Sequence, residues 1–281
     1  KQCLVGSEMC IRDRMKDIHA VFNGRFDSLD NIKISPLSRA YTFSDSVYEV
    51  IPFYNSNIIA FEKHISRLNN SCDSLSFCAD IEEISKEITE LIDKSNLNDG
   101  YVYYQISRGV DPIRSNMYEE DISIETFGYV LAHSFESKNL KVMLCEDLRW
   151  QRCDIKSTSL LGNIMTMNSA KDKGCDEVIM HKNNTITEGG ASNVFFSNDD
   201  FVFTPKLSNN ILPGITRELL IKEITAKGIK VIEGSYNVHD LLSAKSIWLT
   251  SSTKGLAQVV EIVDQKTNLE IDHKLFKECN N

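Results

Sequence analysis

The stretch from residue 177 to 204 does most to constrain the fold. Short runs rich in Val, Ile, Phe and Thr, at 177–181, 185–188, 193–197 and 201–204, are separated by Lys-Asn-Asn and Asn-Asp-Asp. Runs of this length bounded by Asn and Asp read as consecutive strands in a β-rich unit. Leu212-Pro213-Gly214-Ile215-Thr216 then opens a helix that continues to Ala226, with Leu219, Leu220 and Ile224 apolar. Strands at 229–232, 246–250 and 258–263 complete the unit. A strand at 140–145 and a helix at 160–173, stopped by Gly174, precede it.

The first half has a different texture. His19 to Phe22 runs into Asn23-Gly24, a dipeptide that favours a type I′ hairpin. Tyr48 to Tyr54 and Asn57 to Ala60 read as a second hairpin. Phe61, Ile65, Leu68, Cys72 and Leu75 recur at steps of four and three, and Ile81, Ile84, Ile88 and Leu91 mark another helical face. Strands return at 101–107 and 128–133. The chain is therefore expected to be an α+β protein of two domains. Residues 15–133 form the small domain, 134–139 a polar linker and 140–281 the larger β-rich domain. Residues 1–14 fit nothing that follows; they resemble a translated sequencing adapter, with natural initiation expected at Met15.

Composition excludes some roles. A formal net charge of −9 lacks the basic footprint of a nucleic-acid binder. Apolar runs are too short to span a membrane as a helix. The eight cysteines have no Cys-x-x-Cys spacing and no secretory signal precedes them, so reduced thiols in a cytoplasmic protein are expected. The six histidines show no ligand-type pairs, so no metal site is expected.

The chemistry is concentrated in three segments. Arg149-Trp150-Gln151-Arg152-Cys153-Asp154-Ile155-Lys156-Ser157 offers an amine, and Thr187-Glu188-Gly189-Gly190-Ala191-Ser192-Asn193 offers a carboxylate. Leu212 to Arg217 offers the N–H groups of a helix start. An amine condenses with an aldehyde, an acid keeps a ring nitrogen protonated and a helix N-terminus binds phosphate, which are the needs of pyridoxal phosphate. Taken singly, such lysines and glutamates are ordinarily solvated surface groups. Joined in this order, they resemble the large domain of class IV (fold type IV) pyridoxal-phosphate aminotransferases, most closely the D-amino acid aminotransferases. The likeness covers nearly the whole chain after residue 14.

The resemblance implies a role for each matching residue. Lys156 is the Schiff-base lysine and the base that moves the substrate's α-proton. Glu188 faces the ring nitrogen, and Leu212 packs on the ring. Ile215 and Thr216 hold the phosphate through backbone N–H groups, with Ser251 and Ser252 in a hydroxyl-bearing turn beside it. Arg67, in His64-Ile65-Ser66-Arg67-Leu68, is the phosphate-binding arginine of the small domain. The run from Arg39 to Val50 resembles the family's first active-site strand, in which Tyr48-Glu49-Val50 favours the D-amino acid branch and places Tyr48 at the substrate. The substrate carboxylate is expected at Arg114, in a loop one residue longer than usual, and at Asn116, where the branch has histidine. Asparagine donates a hydrogen bond but carries no charge. The implied protein is a homodimer that moves an amino group between a D-amino acid and a 2-oxo acid in two half-reactions. Other class IV chemistries, aminodeoxychorismate lyase or L-branched-chain transamination, remain open, as does cofactor binding without catalysis.

Overall fold

The computed structural model describes residues 18–119, 121–136, 138–271 and 273–280. The proposed extension 1–14 and the expected start at Met15 lie outside the described residues. The chain divides into two compact units, one reaching to Ser134 and including Ile155–Ser159, the other comprising Phe135–Asp154 and the chain from Leu160 onward. The residues around Lys156 thus cluster with the first unit, whereas the sequence-based boundaries place them in the second.

The first unit contains β1 (His19–Phe22), β2 (Arg25–Ser28), α1 (Arg39–Phe43), β3 (Ser46–Tyr54), β4 (Asn57–Ile58), α2 (Phe61–Ser74), α3 (Ile81–Ser95), β5 (Gly100–Ser107) and β6 (Glu125–Ala132). Its strands form an antiparallel sheet in the order β2-β1-β6-β5-β3-β4. Asn23 and Gly24 both take positive φ, 48° and 75°, so the expected type I′ turn joins β1 to β2. Asp80 caps α3 by accepting from the Glu83 amide at 3.0 Å, and Asn96 ends it in the left-handed region. One face of β3 and β5 presents Val47, Ile51, Phe53, Val102, Tyr104 and Ile106. These pack with Ile65 and Leu68 of α2 and with Ile88 and Leu91 of α3. Each such side chain contributes roughly 1.5–3 kcal/mol on burial. Ile155 belongs to the same core and so ties the 155–159 segment to this unit.

The run from Arg39 to Val50 is not one strand. Arg39–Phe43 is a short helix, Ser44 takes φ 53°, and the strand begins only at Ser46. The reversal at Ser44 sets the buried Arg39 beside Asp45, to which it donates at 3.0 Å.

The second unit contains β7 (Leu140–Glu146), α4 (Leu161–Asp172), β8 (Glu177–Lys182), β9 (Thr185–Gly189), β10 (Asn193–Ser197), β11 (Val202–Pro205), α5 (Ile215–Ala226), β12 (Val231–Gly234), α6 (Val238–Leu242), β13 (Ser246–Ser251), β14 (Gly255–Val263) and α7 (Lys274–Asn280). Its sheet runs β12-β11-β10-β13-β14-β7-β8-β9. β7 lies parallel to both neighbours and β11 parallel to β12, while the other pairs are antiparallel. The four short strands between 177 and 205 do not form one meander. β8 and β9 lie at one edge, and the chain crosses through 190–192 to place β10 beside β13. Every residue of β10 is buried, because Val194 and Phe196 face one core with Ile247 and Leu249, and Phe195 faces another with Trp248, Leu220 and Ile224. A strand covered on both faces reads as a continuous apolar run.

Candidate active site

In the first unit, β3 alternates between two environments. Glu49 shares the core-facing parity of Val47 and Ile51, and Tyr48 takes the opposite face. A fully buried carboxylate needs a partner, and α2 supplies two, His64 and Arg67, spaced i and i+3. Arg67 donates to Glu49 from Nε at 2.7 Å and from Nη2 at 2.8 Å, and His64 Nδ1 lies 2.7 Å from Glu49 Oε2. Burial works to raise Glu49, but Arg67 and then His64 outweigh it and hold the carboxyl at about 2. The carboxylate can only accept, so His64 Nδ1 carries the proton. Burial depresses His64 as a base; Arg67 and Lys156 push the same way, while Glu49 opposes them.

The 155–159 segment runs alongside β3. The Tyr48 amide donates to the Lys156 carbonyl at 2.9 Å, Val47 and Ser157 form an antiparallel bridge, and the Lys156 amide donates to Ser71 Oγ at 3.3 Å. The backbone of Lys156 is thereby fixed on both sides. Its half-buried ammonium lies 4.4 Å from the centroid of the Tyr48 ring, which is stacked on Tyr103 at 5.5 Å. The structure therefore brings Lys156, Tyr48 and the Glu49–Arg67 pair together. Arg114 is exposed on the 111–117 loop with its guanidinium 4.8 Å from the Phe43 ring, and Asn116 is exposed on the same loop.

In the second unit, Glu188 stands one residue before the end of β9 and is buried. Its Oε1 accepts from Arg149 Nη1, and its Oε2 accepts from Asn193 Nδ2 and from the Leu212 amide, both at 3.0 Å. Burial pushes Glu188 up to about 7 against the pull of Arg149 and the Leu212 N–H. Asn193 also donates to the Leu212 carbonyl at 3.0 Å, so one side chain fixes both Glu188 and the Leu212 turn. Gly214 follows from this arrangement, because a Cβ there would overlap the Asn193 side-chain oxygen. Gly214 is also the N-cap of α5 and offers no side-chain oxygen, which leaves the amides at Ile215 and Thr216 without a side-chain cap.

β13 ends at Ser251 in a turn closed by the Lys254 amide donating to Ser251 Oγ at 3.2 Å. Ser251 and Ser252 are half-buried there. Glu177, fully buried at the start of β8, accepts from the Gly190 amide at 3.0 Å and from Lys254 Nζ at 3.0 Å. It joins the turn after Glu188 to the turn that carries Ser251 and Ser252. Among the described residues, the buried hydroxyls of Ser192 and Thr250 have no hydrogen-bond partner.

Glu49, His64, Arg149, Glu177 and Asn193 were given no role from sequence. A signal existed for Glu49, a charged residue at a core parity of an apolar strand. No comparable signal marked Asn193 or Glu177, whose partners lie outside their own strands.

Comparison with known proteins gives consistent matches. The family model described as amino-transferase class IV matches residues 46–262. The D-alanine aminotransferase of Listeria monocytogenes serotype 1/2a is 34% identical over 234 residues, covering 80% of each chain. The branched-chain amino acid aminotransferase of Escherichia coli has a similar fold, with TM-score 0.84 at 23% identity, covering 94% of this chain and 92% of that one. The branched-chain amino acid aminotransferase of T.th., complexed with N-(5'-phosphopyridoxyl)-L-glutamate, has TM-score 0.79 at 21% identity, covering 87% and 85%.

Proposed function

Because the chain belongs to the class IV aminotransferases, we propose that it moves an amino group between a D-amino acid, D-alanine among them, and a 2-oxo acid, using pyridoxal phosphate. The observation that carries the reading is the placement of Lys156, with its backbone pinned to β3 and Ser71 and its ammonium over Tyr48. A mobile surface lysine has no such constraint.

The residues present suit the cofactor. Glu188 is a buried carboxyl group that burial raises to about 7, so a cationic ring nitrogen beside it would favour its ionised form. The uncapped start of α5 offers amides at Ile215 and Thr216 to a phosphate, and Ser251 and Ser252 offer hydroxyls. Ser192 and Thr250 contribute buried hydroxyls without partners among the described residues. We assign Leu212 to the ring face and Arg67 to the phosphate.

Bound pyridoxal phosphate supplies an aldehyde for exchange with the substrate amine and an electron sink for its α-carbon. The protein's own part is proton transfer and orientation. Lys156 Nζ takes and returns the α-proton, and the Tyr48 ring beside it limits where that amine points. Glu188 holds the ring-nitrogen proton, and Arg149 and Asn193 hold Glu188. Arg114 and Asn116 receive the substrate carboxylate.

A panel of D- and L-amino acids, followed by conversion of bound cofactor to its amine form, tests the substrate reading. Conversion by D-alanine with no conversion by L-leucine or L-valine is expected; the reverse pattern would indicate an L-branched-chain enzyme. Borohydride reduction of the loaded protein and peptide mapping should mark Lys156, and label on another lysine would overturn that assignment. We propose a homodimer, for which light scattering should give twice the chain mass. Among the described residues no helix is long and apolar enough to cross a membrane, and the described cysteines are free, which suits a cytoplasmic enzyme.

A further inference from the structure

Arg39 is buried, and a buried guanidinium is tolerated only when its donors are met. It donates from Nε to Asp45 at 3.0 Å and from Nη1 to Asp111 at 3.3 Å and to the Ser115 carbonyl at 2.7 Å. The rings of Phe43 and Tyr118 lie 4.5 Å and 5.6 Å from its guanidinium carbon. Arg108, also buried, donates to the same Asp45 at 2.8 Å and to the Leu75 carbonyl at 2.8 Å, and lies 3.7 Å from the Tyr118 ring. Two buried arginines and two aspartates therefore anchor the base of the 111–117 loop.

One of these contacts bears directly on specificity. The Ser115 carbonyl held by Arg39 belongs to the peptide between the two residues assigned to the substrate carboxylate, Arg114 and Asn116. On one side of Arg114, Asp111 Oδ1 accepts from the Ile113 amide at 3.1 Å; on the other, Ser115 Oγ accepts from the Met117 amide at 3.1 Å. Phe43 carries Arg39 at 4.5 Å and Arg114 at 4.8 Å from its ring centre. Arg114 itself is exposed and pairs with no carboxylate among the described residues. A cationic group that is unpaired, on a loop already ordered, loses little freedom when an anion arrives.

We propose that Arg39 is a positioning residue that sets affinity for the substrate carboxylate by locking the loop carrying Arg114 and Asn116, with Asp111 as its partner. The inference rests on the reading of Arg114 as a carboxylate ligand. Lysine at position 39 keeps the charge but cannot serve Asp45, Asp111 and the Ser115 carbonyl from one planar fork.

The test is steady-state kinetics of the loaded enzyme with D-alanine at saturating 2-oxo acid, together with cofactor retention on gel filtration. Arg39→Lys should raise KM about tenfold with kcat within about threefold and cofactor retention unchanged. Asp111→Asn should act in the same direction and carries the same test if Arg39→Lys fails to fold. Arg114→Ala should raise KM by at least as much. In that background Arg39→Lys should add nothing, because both changes act through one contact. Multiplicative KM effects in the double variant, or a fall in kcat at constant KM, would overturn the positioning role. An unaltered KM in Arg114→Ala would instead overturn the carboxylate reading of Arg114.

Discussion

Glu49 in the first unit and Glu188 in the second are both buried carboxylates bonded to an arginine, yet burial wins at one and loses at the other. Glu49 is held at about 2, whereas Glu188 is pushed to about 7. The difference lies in how each arginine is shared. Arg67 directs two N–H groups at Glu49, and His64 adds a third donor. Arg149 gives Glu188 one N–H but gives Asp147 two, at 2.9 Å and 2.7 Å, and the Asn210 carbonyl another at 3.0 Å. The positive charge at Arg149 is divided between two carboxylates, so it only partly offsets the desolvation of Glu188. Glu49 has its charge met by two N–H groups of one arginine. Glu188 is left short of one positive charge, which is the condition a group facing a cofactor's ring nitrogen should meet.

The comparison breaks first at Arg67. Arg67→Ala strands a charged Glu49 in the core, and urea unfolding of the cofactor-free protein should show a loss of about 3–5 kcal/mol. A loss under about 1 kcal/mol would mean that Glu49 is not ionised there.

The two glutamates should also carry opposite pH signatures. Glu49 has its folded pKa lowered, so its contribution is present above about 4.5 and disappears as pH falls toward about 2. The shift corresponds to about 3 kcal/mol. Glu188 has its folded pKa raised, so its contribution is complete below about 4.5 and disappears as pH rises through about 7. Urea unfolding of wild type, Glu49→Gln and Glu188→Gln across that range would measure both slopes. Two differences of the same sign would remove the contrast.

Glu188→Gln sharpens the functional side. All three partners of Glu188 are donors, so a glutamine must turn its NH₂ toward one of them, and it cannot hold a ring-nitrogen proton by charge. Turnover should fall about a hundredfold, read as kcat for D-alanine. A change under about threefold would return Glu188 to a structural role. The smallest effect is expected at Asn116→His, which adds a donor that can become cationic beside a carboxylate. KM for D-amino acids should fall several-fold, up to about tenfold, with cofactor retention unchanged; a rise in KM would place the carboxylate elsewhere.

Much of the frame was legible because it obeys short-range rules. Asn23-Gly24 makes its hairpin, Gly174 follows α4 at φ 73°, and the spacing of Ile84, Ile88 and Leu91 buries one face of α3. Other parts were not. Residues 39–43 read as strand but form a helix, since burial of Arg39 against Asp45 and Asp111 outweighs local preference. α6 and α7 were missed because a few residues carry too little periodicity to register.

The sequence by itself determined which residue types stand in the motif segments and which local elements carry them. Lys156, Glu188 and the Gly214-Ile215-Thr216 helix start are chemical identities that no packing alters. Only the tertiary structure decided their partners: Tyr48 beside Lys156, Asn193 between Glu188 and Leu212, Arg67 on Glu49, Arg149 divided between Asp147 and Glu188. The reason is electrostatic. The charge state of a buried group depends on how many donors reach it and how far each is already committed, and those donors come from different elements that only folding brings together.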